Sequence, residues 1–365
     1  MQRAWAEVDL SQLKRNIQTI KGKLASGVTV MAIVKADGYG HGAVEISKAA
    51  LAAGASMLGV AWVAEALVLR QAEIAAPILV LTEPVSDEAL RVMVELKLQA
   101  TVYSEDFVQK LGALAQTQKQ VIDVHIKIDT GMGRVGVAPA DARPLLQLIR
   151  SQPFLKLAGV CTHFACADEP ENPFTAEQLG RFERVLGDLE ELMGRRGEGA
   201  RGRAFLVHVA NSSGTRYFPQ AHYDMVRIGL DLYRDVLTFK TRVAQVKTVA
   251  AGQPLSYGGI YTTPRATQIA TLSAGYADGV ERLLSNRGQV LIAGQRYPIV
   301  GRVTMDMILV DLGPDAKVAR GAEAVLIGQS GSENISMDEV ASECGTIPYE
   351  IMCGIGKRVP RIYLG

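Results

Sequence analysis

The sequence predicts an α/β protein in which an N-terminal TIM-type (β/α)8 barrel, residues 1–235, precedes a C-terminal, mostly β domain, residues 236–365. Three observations lead to this prediction. Eight short apolar runs alternate with helical segments between residues 28 and 229. Several of these runs are continuously apolar, as expected of parallel strands buried on both faces. After residue 235 the runs are β-rich and separated by Gly and Pro, which indicates a different architecture.

The eight apolar runs are the predicted barrel strands: VTVMAIV (28–34), MLGV (57–60), PILVL (77–81), LQATV (98–102), VIDVHIK (121–127), LAGVCT (157–162), FLVH (205–208) and MVRIG (225–229). Eight strand-and-helix units favour a closed barrel. The alternative is a doubly wound open sheet, which normally has a GxGxxG loop directly between a strand and a helix. The absence of such a junction here favours the barrel.

The clearest helix is predicted over residues 174–197. Thr175 and Gln178 form a capping-box pattern at its start, and residues 195–197 (Arg195, Arg196, Gly197) supply a C-terminal stop. A second helix is predicted to begin at Ser104, followed by two acidic residues that complement the helix dipole. The buried face of the first helix is predicted from apolar residues at helical spacing: Leu179, Phe182, Leu186, Leu189 and Met193.

In the second domain the predicted strands lie within TRVAQVKTV, ATQIATLS, QVLIAGQRYPIVGRV, MILVDL and EAVLIG. Gly294-Gln295 suits a tight hairpin turn. One or two short helices are predicted near residues 337–355.

Composition excludes several classes of protein. The chain has 365 residues, 48% hydrophobic and 21% charged, with a formal net charge of +1, so a nucleic-acid-binding surface is not expected. No apolar stretch is long enough to span a membrane, and the first residues do not resemble a secretory signal, so we expect a cytoplasmic protein. The four cysteines form no CxxC pair and no zinc spacing with the histidines, which predicts reduced thiols and no metal site.

Titratable residues lie at the ends of the predicted barrel strands. Lys35 and Lys127 end the first and fifth strands, His163 and His208 follow or end the sixth and seventh, and Arg227 lies in the eighth. Each residue alone is more often a solvated or structural group. Because the active sites of TIM barrels lie where the strands end, their convergence predicts a functional site.

A lysine in a partly desolvated pocket can form a Schiff base with an aldehyde, which points to pyridoxal phosphate as cofactor. The phosphate requires hydrogen-bond donors. The segments ANSSG (210–214) and RIGLDL (227–232) offer backbone N–H groups at strand ends, although either segment alone is a weak signal.

Eight segments together resemble bacterial alanine racemases: VKADGYGHG, KIDTGMGRVG, THFACAD, HVANSSG, VRIGLDLY, SAGYADG, GRVTMDM and KRVPR. The matches occur in order over almost the whole chain. The resemblance implies a pyridoxal-phosphate enzyme that interconverts L- and D-alanine and supplies D-alanine for peptidoglycan. It also implies a head-to-tail homodimer in which the partner's second domain completes each active site.

The resemblance assigns the reacting groups and the residues that bind the amino-acid substrate. Lys35 would bind the cofactor covalently and act as one base, and Tyr276 would come from the other subunit as the second base. Arg134 would contact the cofactor's phenolic oxygen and the substrate carboxylate. Met305 and Asp306 would also come from the partner, with the Met305 backbone near that carboxylate.

The remaining assignments concern the cofactor and its support. Arg227 would face the pyridine nitrogen, His163 would link Tyr276 to Arg227, and His208 would lie behind Arg227. Lys127 matches a lysine that is often carbamylated in the family and would hold Arg134. The phosphate would be bound by Tyr39, Ser212, Gly229 and Leu230.

One position departs from the family pattern. Some members have a tyrosine before RVPR that orders the phosphate and shapes the pocket, whereas this chain has Lys357. Lys357 would either pair with the phosphate or face solvent, and the preference for alanine over serine is therefore open.

Three alternative functions remain. A broader racemase that accepts serine shares every motif. A pyridoxal-phosphate decarboxylase of similar fold would carry a late catalytic-cysteine motif, which the segment SECGTIPYEIMCG does not resemble. A non-catalytic pyridoxal-phosphate carrier resembles the barrel alone and would leave SAGYADG and VTMDM without a role.

Overall fold

The computed structural model describes residues 2–193 and 204–365. Contacts divide the chain into two compact units. The barrel unit contains residues 14–38 and 43–232, and the β unit contains residues up to 13 together with 39–42 and 233–365. The predicted helix stop at Arg195, Arg196 and Gly197 lies outside the described residues. In chain order, strand β1 (Ala4–Asp9) and helix α1 (Leu10–Lys21) come first.

Eight parallel strands form the sheet of the barrel unit: β2 (Thr29–Ile33), β3 (Met57–Val60), β4 (Ile78–Val80), β5 (Gln99–Val102), β6 (Ile122–Lys127), β7 (Leu155–Cys161), β8 (Leu206–His208) and β9 (Met225–Ile228). Their order is β8-β7-β6-β5-β4-β3-β2-β9. Hydrogen bonds bridge the remaining gap, from the Arg227 N–H to the Ala210 carbonyl (2.9 Å) and from the Asp224 N–H to the Val207 carbonyl (3.1 Å). The nearly closed barrel confirms the predicted fold class.

A left-handed turn, labelled α2 (Lys35–Tyr39), follows β2. Helices follow in chain order: α3 (Ala43–Ala52), α4 (Val63–Gln71), α5 (Asp87–Glu95), α6 (Glu105–Gln118), α7 (Ala142–Ser151), α8 (Phe174–Met193) and α9 (Ser212–Tyr217). Strands β3 and β4 are buried at every position, which explains their continuously apolar sequence. The predicted start of α6 is confirmed, because the Ser104 hydroxyl accepts the Phe107 N–H at 3.3 Å.

The start of α8 differs from the prediction. The helix begins at Phe174, whose N–H donates to the Asn172 side chain (3.1 Å), and Thr175 is buried within the first turn. Gln178 does not cap the helix. Its amide instead accepts the Ala165 N–H (2.8 Å) and donates to the His163 carbonyl (3.1 Å), so it supports the loop after β7. The predicted face is otherwise correct: Leu179, Phe182, Leu186 and Leu189 are buried and Met193 is half-buried.

The β unit contains strand β1 and the later strands: β10 (Leu237–Val249), β11 (Pro254–Leu255), β12 (Tyr261–Thr262), β13 (Thr267–Leu272), β14 (Gln289–Ile292), β15 (Gln295–Val300), β16 (Ile308–Gly313), β17 (Glu323–Ser330), β18 (Glu333–Ile335) and β19 (Arg361–Leu364). Nine of them form a sheet in the order β18-β17-β14-β15-β16-β13-β10-β1-β19, and β17 also pairs with β10. Helices α10 (Met337–Cys344) and α11 (Pro348–Gly354) confirm the predicted short helices.

Two details of the β unit differ from the sequence prediction. The β14–β15 hairpin pairs Ile292 with Gln295, so its turn residues are Ala293 and Gly294 rather than Gly294 and Gln295. Both turn residues have positive φ (49° and 78°), as a tight hairpin requires. Strand β1 was not predicted. It pairs with β10 and β19, so residues 4–9 belong to the sheet of the β unit. The predicted boundary between the two domains, at residues 235/236, remains a prediction.

No helix in the described part of the chain is both long and apolar enough to cross a membrane.

Candidate active site

Strand β2 leads into Lys35, and the backbone then makes a left-handed turn. Residues 36–40 all have positive φ, between 51° and 76°, although Ala36, Asp37 and Tyr39 are not glycines. Such a conformation costs roughly 1–2 kcal/mol for each non-glycine residue. The turn is held by hydrogen bonds from the Gly38 N–H to the Val34 carbonyl (2.9 Å) and from the Ala43 N–H to the Asp37 carboxylate (2.8 Å). Lys35 is half-buried, and its side chain therefore extends from a backbone position that this turn holds in place.

Glu65 fixes the same turn from outside and was not predicted. One carboxylate oxygen accepts the Ala36 N–H at 2.6 Å. The other accepts the N–H groups of Ala61 (2.7 Å) and Trp62 (3.1 Å), in the loop after β3. One side chain thus ties the residue after Lys35 to the neighbouring strand end. The only sequence signal was its position in the first turn of α4.

Arg227 is buried where β9 passes the ends of β7 and β8. Its Nη2 donates to the carbonyls of Thr162 (2.8 Å) and Val209 (2.9 Å), and its Nη1 donates to the His208 carbonyl. Nη2 also lies 3.2 Å from His163 Nδ1, and Nη1 also lies 3.1 Å from His208 Nδ1. No described protein atom accepts the Nε–H, which is therefore available to a ligand.

These contacts favour one tautomer of each histidine. Because arginine has only donors, an unprotonated Nδ1 with the proton on Nε2 is the favoured form of both rings. The two hydrogens of Nη2 are shared among His163 Nδ1 and the Thr162 and Val209 carbonyls. Burial, followed by the charge of Arg227, holds the pKa of His163 well below its usual value. Burial, with smaller contributions from His125 and Arg227, does the same for the pKa of His208. Both rings are neutral at physiological pH.

Positive charges surround His163. After burial, the groups that lower its pKa are Arg227, Lys127, Arg134 and Lys35. Lys127, at the end of β6, is half-buried; burial lowers its pKa, and Arg227 and Arg134 lower it further. The structure thus brings five of the predicted site residues together at the carboxyl ends of the strands.

Arg134 is exposed on the loop after β6. The Asp129 carboxylate shapes this loop by accepting the N–H groups of Gly131 (2.9 Å) and Gly133 (3.1 Å). The sequence predicted Arg134 but gave no signal for Asp129.

Ser212 and Gly229 are in contact, as expected of a shared phosphate site. The buried Ser212 hydroxyl accepts the N–H groups of Gly229 (3.0 Å) and Asp231 (3.4 Å), and Leu230 lies between these two residues. A hydroxyl that accepts two N–H groups still has its own hydrogen to donate. Ser212 also opens helix α9, whose first N–H groups have no partner within the helix.

Tyr39 belongs to the β unit, where it is buried. Its ring centroid lies 4.8 Å from that of Tyr233 and 5.7 Å from that of Tyr349. The structure therefore gives Tyr39 an aromatic environment, and its predicted contact with phosphate remains a prediction.

Tyr276, Met305 and Asp306 line one open cleft of the β unit. The Tyr276 N–H donates to the Thr304 carbonyl at 2.9 Å, which joins the two segments. At Gly275 a Cβ atom would lie 2.2 Å from the Thr304 oxygen, so only glycine permits this approach. The side chains of Tyr276 and Met305 are 44% and 52% exposed, as suits groups that serve a bound molecule or another chain.

A buried carboxylate supports this cleft. Asp278 accepts hydrogen bonds from Arg3 (2.6 Å), from Arg358 (2.7 Å) and from the Gly275 N–H (3.0 Å). Arg358 also donates to Asp306 at 2.7 Å. Burial alone would raise the pKa of Asp278, but the guanidinium hydrogen bonds hold it below its usual value. Asp278 lies in a predicted motif, yet the sequence gave it no role.

Lys357 is exposed and precedes Arg358 in the chain. Its predicted contact with phosphate remains a prediction.

The residues of the barrel unit fit pyridoxal phosphate. The half-buried amine of Lys35 suits an aldehyde, and the Ser212 hydroxyl with the first N–H groups of α9 suits a phosphate. The Arg227 Nε–H suits a ring nitrogen that accepts a hydrogen bond. A nearly closed (β/α)8 barrel with a lysine at the end of its first strand and a phosphate cradle at its last strands defines a class, the barrel enzymes that use pyridoxal phosphate.

Comparison with known proteins narrows this class. The family model "Alanine racemase, N-terminal domain" matches residues 8–236, and "Alanine racemase, C-terminal domain" matches residues 236–363. The alanine racemase of Symbiobacterium thermophilum is 44% identical over 379 residues, covering 100% of this chain and 98% of the relative. The chain belongs to the alanine racemase family, whose members are pyridoxal-phosphate-dependent isomerases.

Solved structures agree with this assignment. The alanine racemase of D-cycloserine-producing Streptomyces lavendulae superposes with a TM-score of 0.92 at 36% identity, covering 100% of this chain and 98% of that one. The alanine racemase of Bartonella henselae, solved with covalently bound pyridoxal phosphate, superposes with a TM-score of 0.88 at 29% identity over 100% of both chains.

Proposed function

We propose that this protein interconverts L- and D-alanine with two bases, Lys35 of one chain and Tyr276 of the partner subunit. The observation that carries the proposal is Lys35 at the barrel's carboxyl rim, in a cluster with three further cations, Lys127, Arg134 and Arg227, the last of which has a free Nε–H donor. Racemisation removes a proton from one face of Cα and returns a proton to the other face. Two bases on opposite faces accomplish this more readily than one.

Binding of the cofactor is divided among groups of different chemistry. Lys35 holds it covalently through its amine, and Arg227 faces the pyridine nitrogen. The phosphate is held by Tyr39, Ser212, Gly229, Leu230 and Lys357. When bound, pyridoxal phosphate supplies an electron sink for the negative charge that develops at Cα.

The protein's own groups bind the substrate and move the protons. Arg134 and the Met305 backbone bind the substrate carboxylate, with Asp306 beside them. Free lysine holds its proton at neutral pH, and the neighbouring cations favour the neutral amine that a base requires. Lys127 supports Arg134. His163 connects the partner's Tyr276 to Arg227, and His208 lies on the far side of Arg227.

A two-fold dimer supplies each site with residues from both chains. In a head-to-tail arrangement, residues 1–235 bind the cofactor and residues 236–365 of the partner complete the site, so that two identical sites result. The exposure of Tyr276 and Met305 supports this arrangement. We further propose that the enzyme works in the cytoplasm and supplies D-alanine for peptidoglycan.

A racemase that also accepts serine is the second candidate. Lys357 favours it, because this position holds a tyrosine at the pocket edge in some relatives and an exposed lysine side chain here. Racemisation assays with alanine, serine and a basic amino acid measure directly which substrates the enzyme accepts.

Proton exchange at Cα in heavy water tests the mechanism. The wild-type enzyme should incorporate deuterium into both L- and D-alanine, whereas a carrier protein would exchange neither. Tyr276→Phe should lose exchange from one enantiomer selectively, because its hydroxyl serves one face. Equal slowing of both exchange reactions, with substrate binding intact, would contradict the two-base assignment.

A further inference from the structure

A chain of hydrogen bonds, buried at the two histidines and part-buried at its far end, continues behind Arg227 and His208. His208 Nε2 lies 2.8 Å from His125 Nδ1. His125 Nε2 lies 2.9 Å from Gln99 Oε1, and the Gln99 amide nitrogen lies 3.4 Å from Asp123 Oδ2. The chain runs from the carboxyl end of β9 to the amino ends of β5 and β6.

The direction of donation along this chain is fixed at both ends. Arg227 can only donate, so His208 accepts at Nδ1 and donates from Nε2 to His125. His125 then donates from Nε2 to the Gln99 carbonyl oxygen, which leaves the Gln99 amide to donate to Asp123. A carboxylate can only accept, so the opposite set of tautomers would place two donors or two acceptors face to face.

Strands β6 and β7 leave space in the barrel wall for the His125 ring. Strand β7 lies between β6 and β8, and the His125 ring crosses it at Gly159 to reach His208. A Cβ atom on Gly159 would lie 2.2 Å from His125 Nδ1. The register between β6 and β7 shifts next to His125, as in a β-bulge that redirects a side chain. His125 is fully buried, and burial lowers its pKa to about 3, so the ring is neutral.

We propose that His125 and Gln99 are positioning residues that hold His208 in the tautomer required to accept from Arg227. If His208 carried its proton on Nδ1, that hydrogen would face the Arg227 Nη1–H groups and displace the guanidinium. These hydrogen bonds therefore keep the Arg227 guanidinium in the orientation in which it donates to the cofactor's ring nitrogen. This inference rests on the proposed function in one respect, the contact of Arg227 with that nitrogen.

The first measurement is the tautomer of His208, by solid-state nitrogen-15 NMR of histidine-labelled holoenzyme. The wild type should have His208 protonated at Nε2 alone. His125→Phe, which is similar in shape but cannot accept, should yield a mixture of His208 tautomers. His125→Gln, which can both accept and donate, should restore the wild-type signal.

The second measurement is the number of transamination events per racemisation turnover. We expect His125→Phe to raise this ratio about tenfold, because a misplaced guanidinium permits protonation of the ring nitrogen. Thr101→Val is the matched control. Thr101 pairs with His125 in the sheet, is buried and has a hydroxyl without a hydrogen-bond partner, so its replacement should leave both measurements unchanged.

Gln99→Met provides a second test if His125→Phe does not fold. Gln99 is only half-buried, and its loss should shift both measurements in the same direction by about threefold. The proposal is overturned if folded, cofactor-bound His125→Phe or Gln99→Met retains the wild-type tautomer and ratio. Failure of the proposed function is distinct, because wild-type enzyme would then exchange no Cα proton of alanine in heavy water.

Discussion

The Arg227 guanidinium is held by the barrel backbone and is the group proposed to face the cofactor's ring nitrogen. Arg227 engages three backbone carbonyls and two imidazole nitrogens through Nη1 and Nη2. Because these contacts use both terminal nitrogens, the Nε–H is the donor left for the cofactor. If Arg227 faces the pyridine nitrogen as proposed, this always-protonated donor would keep that nitrogen unprotonated and would make the ring a weaker electron sink. Side reactions such as transamination would then be suppressed.

Arg227→Glu should let the ring nitrogen become protonated and should raise transamination relative to racemisation by about tenfold or more. Both products are measured in one reaction with L-alanine, as D-alanine and pyruvate. Arg227→Lys, which keeps a cationic donor, is the matched control and should change the ratio much less. An unchanged ratio in Arg227→Glu with bound cofactor contradicts the role of the guanidinium.

Residues at strand ends were predictable, and the residues that support them were not. Lys35, Lys127, His163, His208 and Arg227 each interrupt or end an apolar run, which is a visible signal. The roles of Tyr276 and Met305 came from the resemblance alone, because nothing in their local pattern indicates a site.

The supporting residues lacked such signals, with one exception. Glu65 and Asp278 act through backbone N–H groups and arginines that are distant in sequence, so only the folded chain reveals their partners. His125 was predictable in part. In VIDVHIK the polar residues Asp123, His125 and Lys127 alternate, which places them on one face of β6.

At the scale of elements, the left-handed turn after β2 sets the position of Lys35. The turn is unfavourable for three of its residues, and its stability depends on hydrogen bonds from outside the segment. Glu65 provides the external contact, since its two oxygens accept the N–H groups of Ala36, Ala61 and Trp62.

Glu65→Gln should weaken cofactor binding and lower the free energy of unfolding by about 1–2 kcal/mol, because an amide donor would replace one charged acceptor of these N–H groups. Cofactor titration and urea unfolding measure the two effects. Glu45→Gln is the control, since Glu45 makes an exposed ion pair with Lys48 on α3 and its loss should cost under about 1 kcal/mol. Equal behaviour of the two variants would refute a special role for Glu65.

Other elements illustrate which local rules apply. The Ser104 cap of α6 was predictable because its partner lies three residues away. The capping box at Thr175 was wrong because Gln178 makes tertiary contacts with the loop after β7 instead. Strand β1 was missed because its partners, β10 and β19, lie more than 200 residues later.

At the scale of the whole molecule, the cleft of Tyr276 depends on residues distant in sequence. Asp278 binds Arg3, 275 positions earlier, and Arg358, 80 positions later. The depressed pKa of Asp278 means that its carboxylate stabilises the fold at pH values above about 4, the pKa of an aspartate carboxyl in the unfolded chain. This stabilisation is lost as the pH falls through the lower pKa of the folded state.

Asp278→Asn should therefore lower the free energy of unfolding by about 3 kcal/mol at pH 7, and the difference from wild type should shrink below about pH 4. Denaturant midpoints across this pH range measure the change. Glu333→Gln, which breaks an exposed ion pair in the same unit, should cost under about 1 kcal/mol. A difference that stays constant as the pH falls would exclude the carboxylate as its source.

Mixed dimers test whether sites are shared between chains. Lys35→Ala and Tyr276→Phe should each be inactive in at least one direction. When the two are unfolded and refolded together, half of the dimers should be mixed, and each mixed dimer should contain one intact site. The mixture should then recover about a quarter of wild-type activity in that direction. No recovery, despite mixed dimers detected by mass, would place both bases in one chain.

The turn after Lys35 also limits which sequences can encode this protein. Residues 36–40 follow a backbone path of the opposite hand to an ordinary helix, a path that glycine, asparagine and aspartate adopt at least cost. In a library randomised at positions 36 and 37, survivors should be enriched in these three residues and depleted of valine, isoleucine and threonine. Such a bias would arise from backbone handedness even at positions whose side chains never touch the substrate, so evolutionary constancy here need not mark a catalytic role.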